Sequence, residues 1–203
     1  MITVIDIKIG NVGSVTRALE KLKFPYQVTD NPELIKKSEK MIMTGVGSYR
    51  EASNRMKLLG IDSAIRQKVI EEKTPILGIC LGMQLLASVG MEGGESEGLG
   101  LIKGKVKYHR CTSLDMRLPH VGWNNVHSGD LSLFKSLPEN SHFYFVHSYE
   151  LLLDEDIPIA TCNYGVNFVA AIQKDNIMGT QFHPEKSQTA GLSLMQNFLK
   201  GLS

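Results

Sequence analysis

Cysteine is scarce in this chain. Among 203 residues only Cys80, Cys111 and Cys162 carry a thiol. Their odd number, wide separation and lack of C-x-x-C spacing argue against a disulfide framework or a zinc cage, and for a reducing cytoplasmic setting. Long apolar runs are missing: none approaches the roughly 20 residues of a membrane span. The opening MITVIDIKIG has no basic segment ahead of a long apolar one, so no secretory signal is expected. Excess charge of one sign is missing as well, with 22 Lys and Arg against 21 Asp and Glu. Such a balance gives no reason to expect nucleic acid or a membrane surface as a partner. The six histidines show no tight ligand spacing that would indicate a metal.

What is present is an alternation of strands and helices. Residues 2–7 form a β-rich run. Val12, Val15, Leu19 and Leu22 then recur as one helix face, with a cap near Ser14 or Thr16 and a stop at Pro25. Strands are expected at 26–29 and 40–44, and a polar helix across 51–72, interrupted at Gly60. Pro75 introduces the short buried strand ILGI, which ends at Cys80. This order indicates parallel βαβ units in an open α/β sheet flanked by helices. The second half has a different texture. Residues 91–100 read as a glycine-rich acidic loop. Strands are expected at 101–108, 142–149, 157–162, 168–173 and 176–182, partly antiparallel because turns follow so quickly. Leu192, Met195, Phe198 and Leu199 mark a closing helix over 189–202. No linker divides the chain, so residues 1–203 are expected to form one domain.

Gly78-Ile79-Cys80-Leu81-Gly82 has G-x-C-x-G spacing, the thiol counterpart of the hydrolase nucleophile elbow. A strand runs in, the chain reverses, and a helix runs out, holding the thiol at the carboxyl end of the sheet. Unpaired N–H groups and the partial positive charge of a helix N-terminus favour thiolate there. The Leu81 N–H is placed to stabilise an oxyanion on an attacked carbonyl. Cys111 and Cys162 lack this setting and read as structural.

A thiol nucleophile needs a base. In Gln181-Phe182-His183-Pro184-Glu185, His183 follows a strand, and Pro184 keeps it out of helical conformation. In extended backbone His183 and Glu185 point to the same side, so the carboxylate can orient the imidazole toward the thiol. Of the other histidines, His120 lies near the only tryptophan and reads as part of a surface contact, and His147 reads as strand-borne. His109, His127 and His142 have no partner pattern.

With these residues in place, the chain resembles the class I (triad) glutamine amidotransferases. GICLGMQLL and QFHPEKS carry the class. DIKIGNVGSVTRALEKL, TGVGSYREA, GLGLIKGKV, PHVGWNNV, FYFVHSY and GTQFHPEKSQTAGL resemble more closely the glutaminase subunits of imidazole glycerol phosphate synthases. The resemblance runs over nearly the whole chain and implies a flavodoxin-like sheet. It implies that Cys80 attacks the side-chain amide of L-glutamine, that His183 moves the protons, and that Glu185 holds His183. The second oxyanion donor would come from Val46–Gly47. Gln84 and Glu92 would bind the substrate amino group, with Glu95 and Glu97 as near alternatives to Glu92, and the backbone of Ser148 and Tyr149 would hold the substrate.

No metal or organic cofactor is implied. The ammonia would pass to a cyclase partner, a (β/α)8 barrel that needs about 250 residues and so must be a separate chain. Asn11, Pro119, Trp123, Asn124 and Lys186 would face that partner in a heterodimer. Ile7, Lys8, Gly13 and Thr44 depart from the subunit's usual pattern. They keep open a second reading, the glutaminase of a nucleotide-sugar amidotransferase. A third is a stand-alone cysteine hydrolase of the same superfamily.

Overall fold

The computed structural model describes residues 1–110, 116–139 and 141–201. Cys111 and residue 202 of the expected closing helix lie outside the described residues. In chain order the first half runs β1 (Ile2–Ile5), α1 (Val12–Lys21), β2 (Tyr26–Thr29), α2 (Pro32–Ile35), β3 (Lys40–Gly45), α3 (Tyr49–Leu59), α4 (Ile61–Arg66), β4 (Ile76–Cys80) and α5 (Leu81–Leu85). The rest runs β5 (Ala87–Gly90), β6 (Ser96–Glu97), β7 (Ile102–Tyr108), β8 (His120–Asn125), β9 (His142–His147), β10 (Tyr149–Leu153), β11 (Ile159–Tyr164), β12 (Val166–Lys174), β13 (Ile177–Thr180) and α6 (Gln188–Lys200).

The main sheet has seven strands in the order β11-β12-β13-β4-β3-β1-β2. Pairing is parallel from β13 across to β2 and antiparallel through β11, β12 and β13. The fold is therefore α/β, mostly parallel, with its antiparallel part in the C-terminal half. Strands β1 and β4 are buried along their whole length, as strands covered on both faces must be. On one face Val15 and Leu19 of α1 and Leu194, Met195 and Phe198 of α6 pack with Phe143, Phe145 and Phe182. The other face is covered by α3, α4 and α5, together with residues of a second sheet, β10-β7-β5-β6. Strands β8 and β9 form a separate antiparallel pair. No described helix is long and apolar enough to cross a membrane.

Several boundaries differ from the sequence reading, each for a local reason. Helix α1 is capped by Asn11, whose side chain accepts from the Ser14 N–H at 3.2 Å, three residues ahead of the expected cap. The run 142–149 divides at Ser148, because β9 pairs with β8 while β10 pairs with β7. The loop 91–100 contains the two-residue strand β6. The interruption at Gly60 is as expected: its φ of 70° ends α3 in a left-handed turn and α4 restarts.

The two glycines beside Cys80 serve close approach. A Cβ on Gly82 would lie 2.0 Å from the Met43 carbonyl oxygen of β3, and one on Gly78 would lie 2.7 Å from the Gly82 carbonyl and the Met83 nitrogen. The strand-to-helix corner is pressed against backbone on both sides, which cannot yield as a flexible side chain would. Gly82→Ala should therefore destabilise the fold by about 3 kcal/mol, read as a drop in the urea unfolding midpoint. A midpoint equal to wild type would show that β3 and α5 can separate freely.

Candidate active site

Strands β4 and β13 lie side by side and parallel, with Ile79 opposite Thr180. The chain leaves β4 at Cys80 and leaves β13 toward His183, so residues a hundred positions apart emerge at the same sheet edge. Cys80 sits at φ 55° and ψ −111°, a conformation rare for a residue with a Cβ. Holding it costs about 1–3 kcal/mol, which the packed corner must supply. Helix α5, which follows, is only five residues long. A single turn carries little macrodipole, so the thiol depends mostly on the individual groups around it.

His183 donates from Nδ1 to Oε1 of Glu185 at 2.8 Å, and both side chains are 1% exposed. Only His183 is extended; Glu185 lies in a 3-10 turn, Pro184–Lys186. The side chains thus meet across a turn, because Pro184 pre-sets the first turn position. Ser187 pins this loop: its hydroxyl donates to the His183 carbonyl at 2.6 Å and accepts from the Tyr144 N–H at 3.0 Å. Burial alone would lower the pKa of His183. The charge and hydrogen bonding of Cys80, and then of Glu185, outweigh it and raise it to about 10. Near neutral pH this histidine carries its second proton. Its Nε2 is buried without a hydrogen-bond partner of normal geometry among the described residues.

Cys80 opens into a cavity of about 360 Å³. Leu81, Gln84, Glu92, Ser148 and Tyr149 line it with Val46 and Gly47. Glu92 is thus the acidic residue at the cavity, whereas Glu97 faces outward to Lys57 at 2.8 Å. One Glu92 oxygen, Oε2, accepts from the Tyr49 N–H at 2.7 Å and caps α3. Ser48, at that cap, makes no side-chain capping bond of its own. Of the Val46–Gly47 backbone, expected to give the second oxyanion donor, the Val46 N–H donates to the Ile9 carbonyl at 3.4 Å. In this conformation it is spent on the neighbouring loop, which approaches closely because Gly10 and Gly45 carry no Cβ.

His147, which lines the cavity, belongs to a histidine relay with no local sequence signal. His147 donates from Nδ1 to the Tyr149 carbonyl, 2.9 Å away, which leaves its Nε2 to accept from Nδ1 of His120 at 3.1 Å. His120 is not a surface contact: it is 2% exposed and stacked between Tyr164 and Phe145 at 3.9 and 4.8 Å. Burial is the first cause of low pKa values at both, about 4 for His120 and about 3 for His147. Cys162 is fully buried on β11, and burial pushes its thiol up to about 12.

The residues expected to face a partner are scattered in role. Pro119 lines the cavity. Asn11 is spent on capping α1, and the Asn124 side chain donates to the Asn163 carbonyl at 3.0 Å. Trp123 remains 47% exposed and meets Tyr144 edge-on at 6.0 Å. Lys186 sits over the same ring at 5.9 Å. The sequence reading missed Tyr144, which joins those two residues.

A thiol at a strand-to-helix corner, with a carboxylate-held histidine beside it, defines an acyl-transfer class. Residues 3–202 match the model of the family "Glutamine amidotransferase class-I", and the chain belongs to that family of enzymes. Its relatives by sequence are more particular. "Imidazole glycerol phosphate synthase subunit HisH 1" of Campylobacter jejuni (strain RM1221) is 44% identical, across 98% of this chain and 100% of the relative. "Imidazole glycerol phosphate synthase subunit HisH 2" of Methanococcus maripaludis is 45% identical, across 98% and 99%. Among solved structures, a glutamine amidotransferase superposes with a TM-score of 0.77 at 19% identity, covering 98% of this chain and 97% of that one. A glutamine amidotransferase from Methylobacillus flagellatus gives 0.68 at 14%, covering 100% and 95%.

The histidines give the site a pH signature. His120 and His147 are depressed from 6.5 to about 4 and about 3, so the unfolded chain takes up protons that the folded one refuses. Their stabilisation is full above pH 6.5 and is lost as pH falls through those values. His183 has the opposite sign: its contribution is full below 6.5 and is lost as pH rises through about 10. His120→Phe keeps a ring in the stack and removes one titrating group. It should lower the urea midpoint near neutral pH, where His147 loses a donor, and flatten the decline on acidification. An acid limb as steep as wild type would show that His120 does not titrate with folding.

Proposed function

We propose that this chain is the glutaminase subunit of an imidazole glycerol phosphate synthase. It hydrolyses L-glutamine to L-glutamate and ammonia, and a separate cyclase chain uses the ammonia in histidine biosynthesis. The observation that carries this reading is the 2.8 Å His183–Glu185 bond in the turn that follows β13, the strand paired with the one that ends at Cys80. The relatives named above as synthase subunits support the particular pathway. We take the setting to be cytoplasmic, as a pathway on small soluble metabolites requires.

Cys80 sulfur, held as thiolate beside protonated His183, attacks the side-chain amide carbon of glutamine. The carbonyl π-electrons move onto oxygen, where the Leu81 N–H stabilises the negative charge. When the intermediate collapses, the C–N bond breaks, and His183 delivers its proton to the departing nitrogen. Ammonia leaves and a thioester remains. Neutral His183 then takes a proton from water as the water attacks the thioester, and the C–S bond breaks to give glutamate. Glu185 keeps the imidazole oriented and stabilises its charged form.

For the Val46 N–H to act as the second oxyanion donor, the Gly45–Val46 peptide must rotate away from Ile9, a motion that the glycine makes cheap. Gln84 and Glu92 face the substrate ammonium. Ammonia is nucleophilic only while unprotonated, so its direct delivery to a partner protects the product. Trp123 and Lys186 around Tyr144 are the surface we assign to that partner, an aromatic anchor with a cation beside it.

Cys80→Ala should abolish glutamine hydrolysis, assayed with the histidine-pathway cyclase, and leave cyclase binding intact. Turnover retained by that variant would sink the triad. Glu185→Ala should lose less than Cys80→Ala, because an orienting residue contributes less than the nucleophile. Equal losses would mean that Glu185 takes part directly.

A further inference from the structure

Resting on that glutaminase reading, we propose that Gln181 is a further catalytic residue: its side-chain N–H donates to the Cys80 sulfur and holds it as thiolate, while its carbonyl fixes Gln84. Gln181 directly follows β13 and is fully buried. Its backbone N–H donates to the Ala170 carbonyl at 2.8 Å, which fastens it to β12. A buried amide side chain needs partners for both its N–H groups and its oxygen. Here the partners of its nitrogen and of its oxygen, Cys80 and Gln84, both belong to the site.

The orientation of the amides follows from one backbone atom. Gln84 Nε2 lies 3.1 Å from the Tyr149 carbonyl oxygen, which can only accept, so that end of Gln84 is its NH2. The same Nε2 lies 2.9 Å from the Gln181 side chain, whose near atom must therefore be its acceptor, Oε1. The NH2 of Gln181 then points the other way, and it lies 3.7 Å from the Cys80 sulfur. Reversing Gln181 would set two NH2 groups against each other, and reversing Gln84 would set two carbonyls face to face. The Tyr149 oxygen is itself held by His147 at 2.9 Å, so the chain of donors begins in the histidine relay.

This arrangement acts on both the nucleophile and the substrate. A donor aimed at sulfur stabilises the charged form, the nucleophile. That matters because α5, with five residues, is too short to provide much of a macrodipole. Gln84, with its NH2 engaged by two protein acceptors, offers a ligand its carbonyl oxygen. An acceptor suits the ammonium group of an amino acid and disfavours a substrate carboxylate at that position.

Gln181→Glu separates the two roles. It keeps an oxygen for Gln84 and turns a carboxylate oxygen toward the sulfur. Gln181→Met removes both contacts at similar length. The test is the pH dependence of iodoacetamide alkylation at Cys80 in the full chain, followed by mass spectrometry. Circular dichroism verifies that each variant is folded. In Gln181→Glu the alkylation midpoint should rise by about one pH unit or more, so that alkylation below both midpoints slows about tenfold. In glutamine hydrolysis with the cyclase, Gln181→Glu should lose kcat with little change in KM, and Gln181→Met should also raise KM.

A wild-type midpoint in both folded variants overturns the proposal, while an active wild type keeps the glutaminase reading. A wild type that neither hydrolyses glutamine nor shows an activated thiol overturns both. One measurement does not depend on the variants folding: in the 15N-labelled wild-type chain, the assigned Gln181 side-chain amide resonances should shift when Cys80 is alkylated. Resonances that stay in place overturn the proposal as well.

Discussion

The parallel pairing of β4 with β13 is the constraint on which the site depends. Four residue pairs, Ile76 with Ile177 through Ile79 with Thr180, fix the two strands in register. The next residues out are Cys80 on one strand and Gln181, Phe182 and His183 on the other. A slip of one residue would turn the following side chains to the opposite face of the sheet. The sulfur, the amide that touches it and the imidazole that couples to it all inherit their positions from those pairs. The strand β3, on the other flank of β4, adds the second limit, because its Met43 carbonyl leaves no room for a side chain at Gly82.

Three histidines near the cavity are buried, yet they take opposite protonation states. His183 rises to about 10 although burial opposes its charge, because a sulfur and a carboxylate flank it. His120 and His147 fall to about 4 and about 3 because burial penalises their charge and the charged groups nearest them are other histidines, with the Tyr149 carbonyl offsetting only part of this at His147. The same ring is therefore a cation where a sulfur and a carboxylate flank it and neutral where it bonds a peptide carbonyl. The difference lies in which formal charges stand within reach, not in depth.

Much of this was legible in the sequence because the signals were local. ILGI followed by Cys80 between glycines marks a strand, a corner and the thiol held at it within ten residues. Pro184 between His183 and Glu185 marks an imidazole paired with a carboxylate, although the turn that joins them is 3-10 and not extended. The closing helix was legible from its apolar spacing. What could not be read depends on distant partners. His120 reads as exposed beside a tryptophan, and only the β8–β9 pairing turns it inward. Strands β5, β8 and β10 are short and carry glycine or polar residues, so neighbouring strands define them. The Val46 N–H is diverted by Ile9, 37 positions away in the chain, which no inspection of T-G-V-G could reveal. Gln181 stood in plain view in QFHPE, but its use depends on a carbonyl at Tyr149 and a sulfur at Cys80.

Glu92 belongs to two structures at once. It lines the cavity, and it terminates a helix that starts 43 residues earlier, at the first nitrogen of α3. The loop from Gly45 to Ser48 is thereby tethered at its far end by a carboxylate that a bound amino acid would also solicit. If the proposed function holds, a ligand's arrival and the grip on that loop would draw on one pair of oxygens, and recognition of the cargo would be mechanically tied to the stiffness of the wall beside the sulfur.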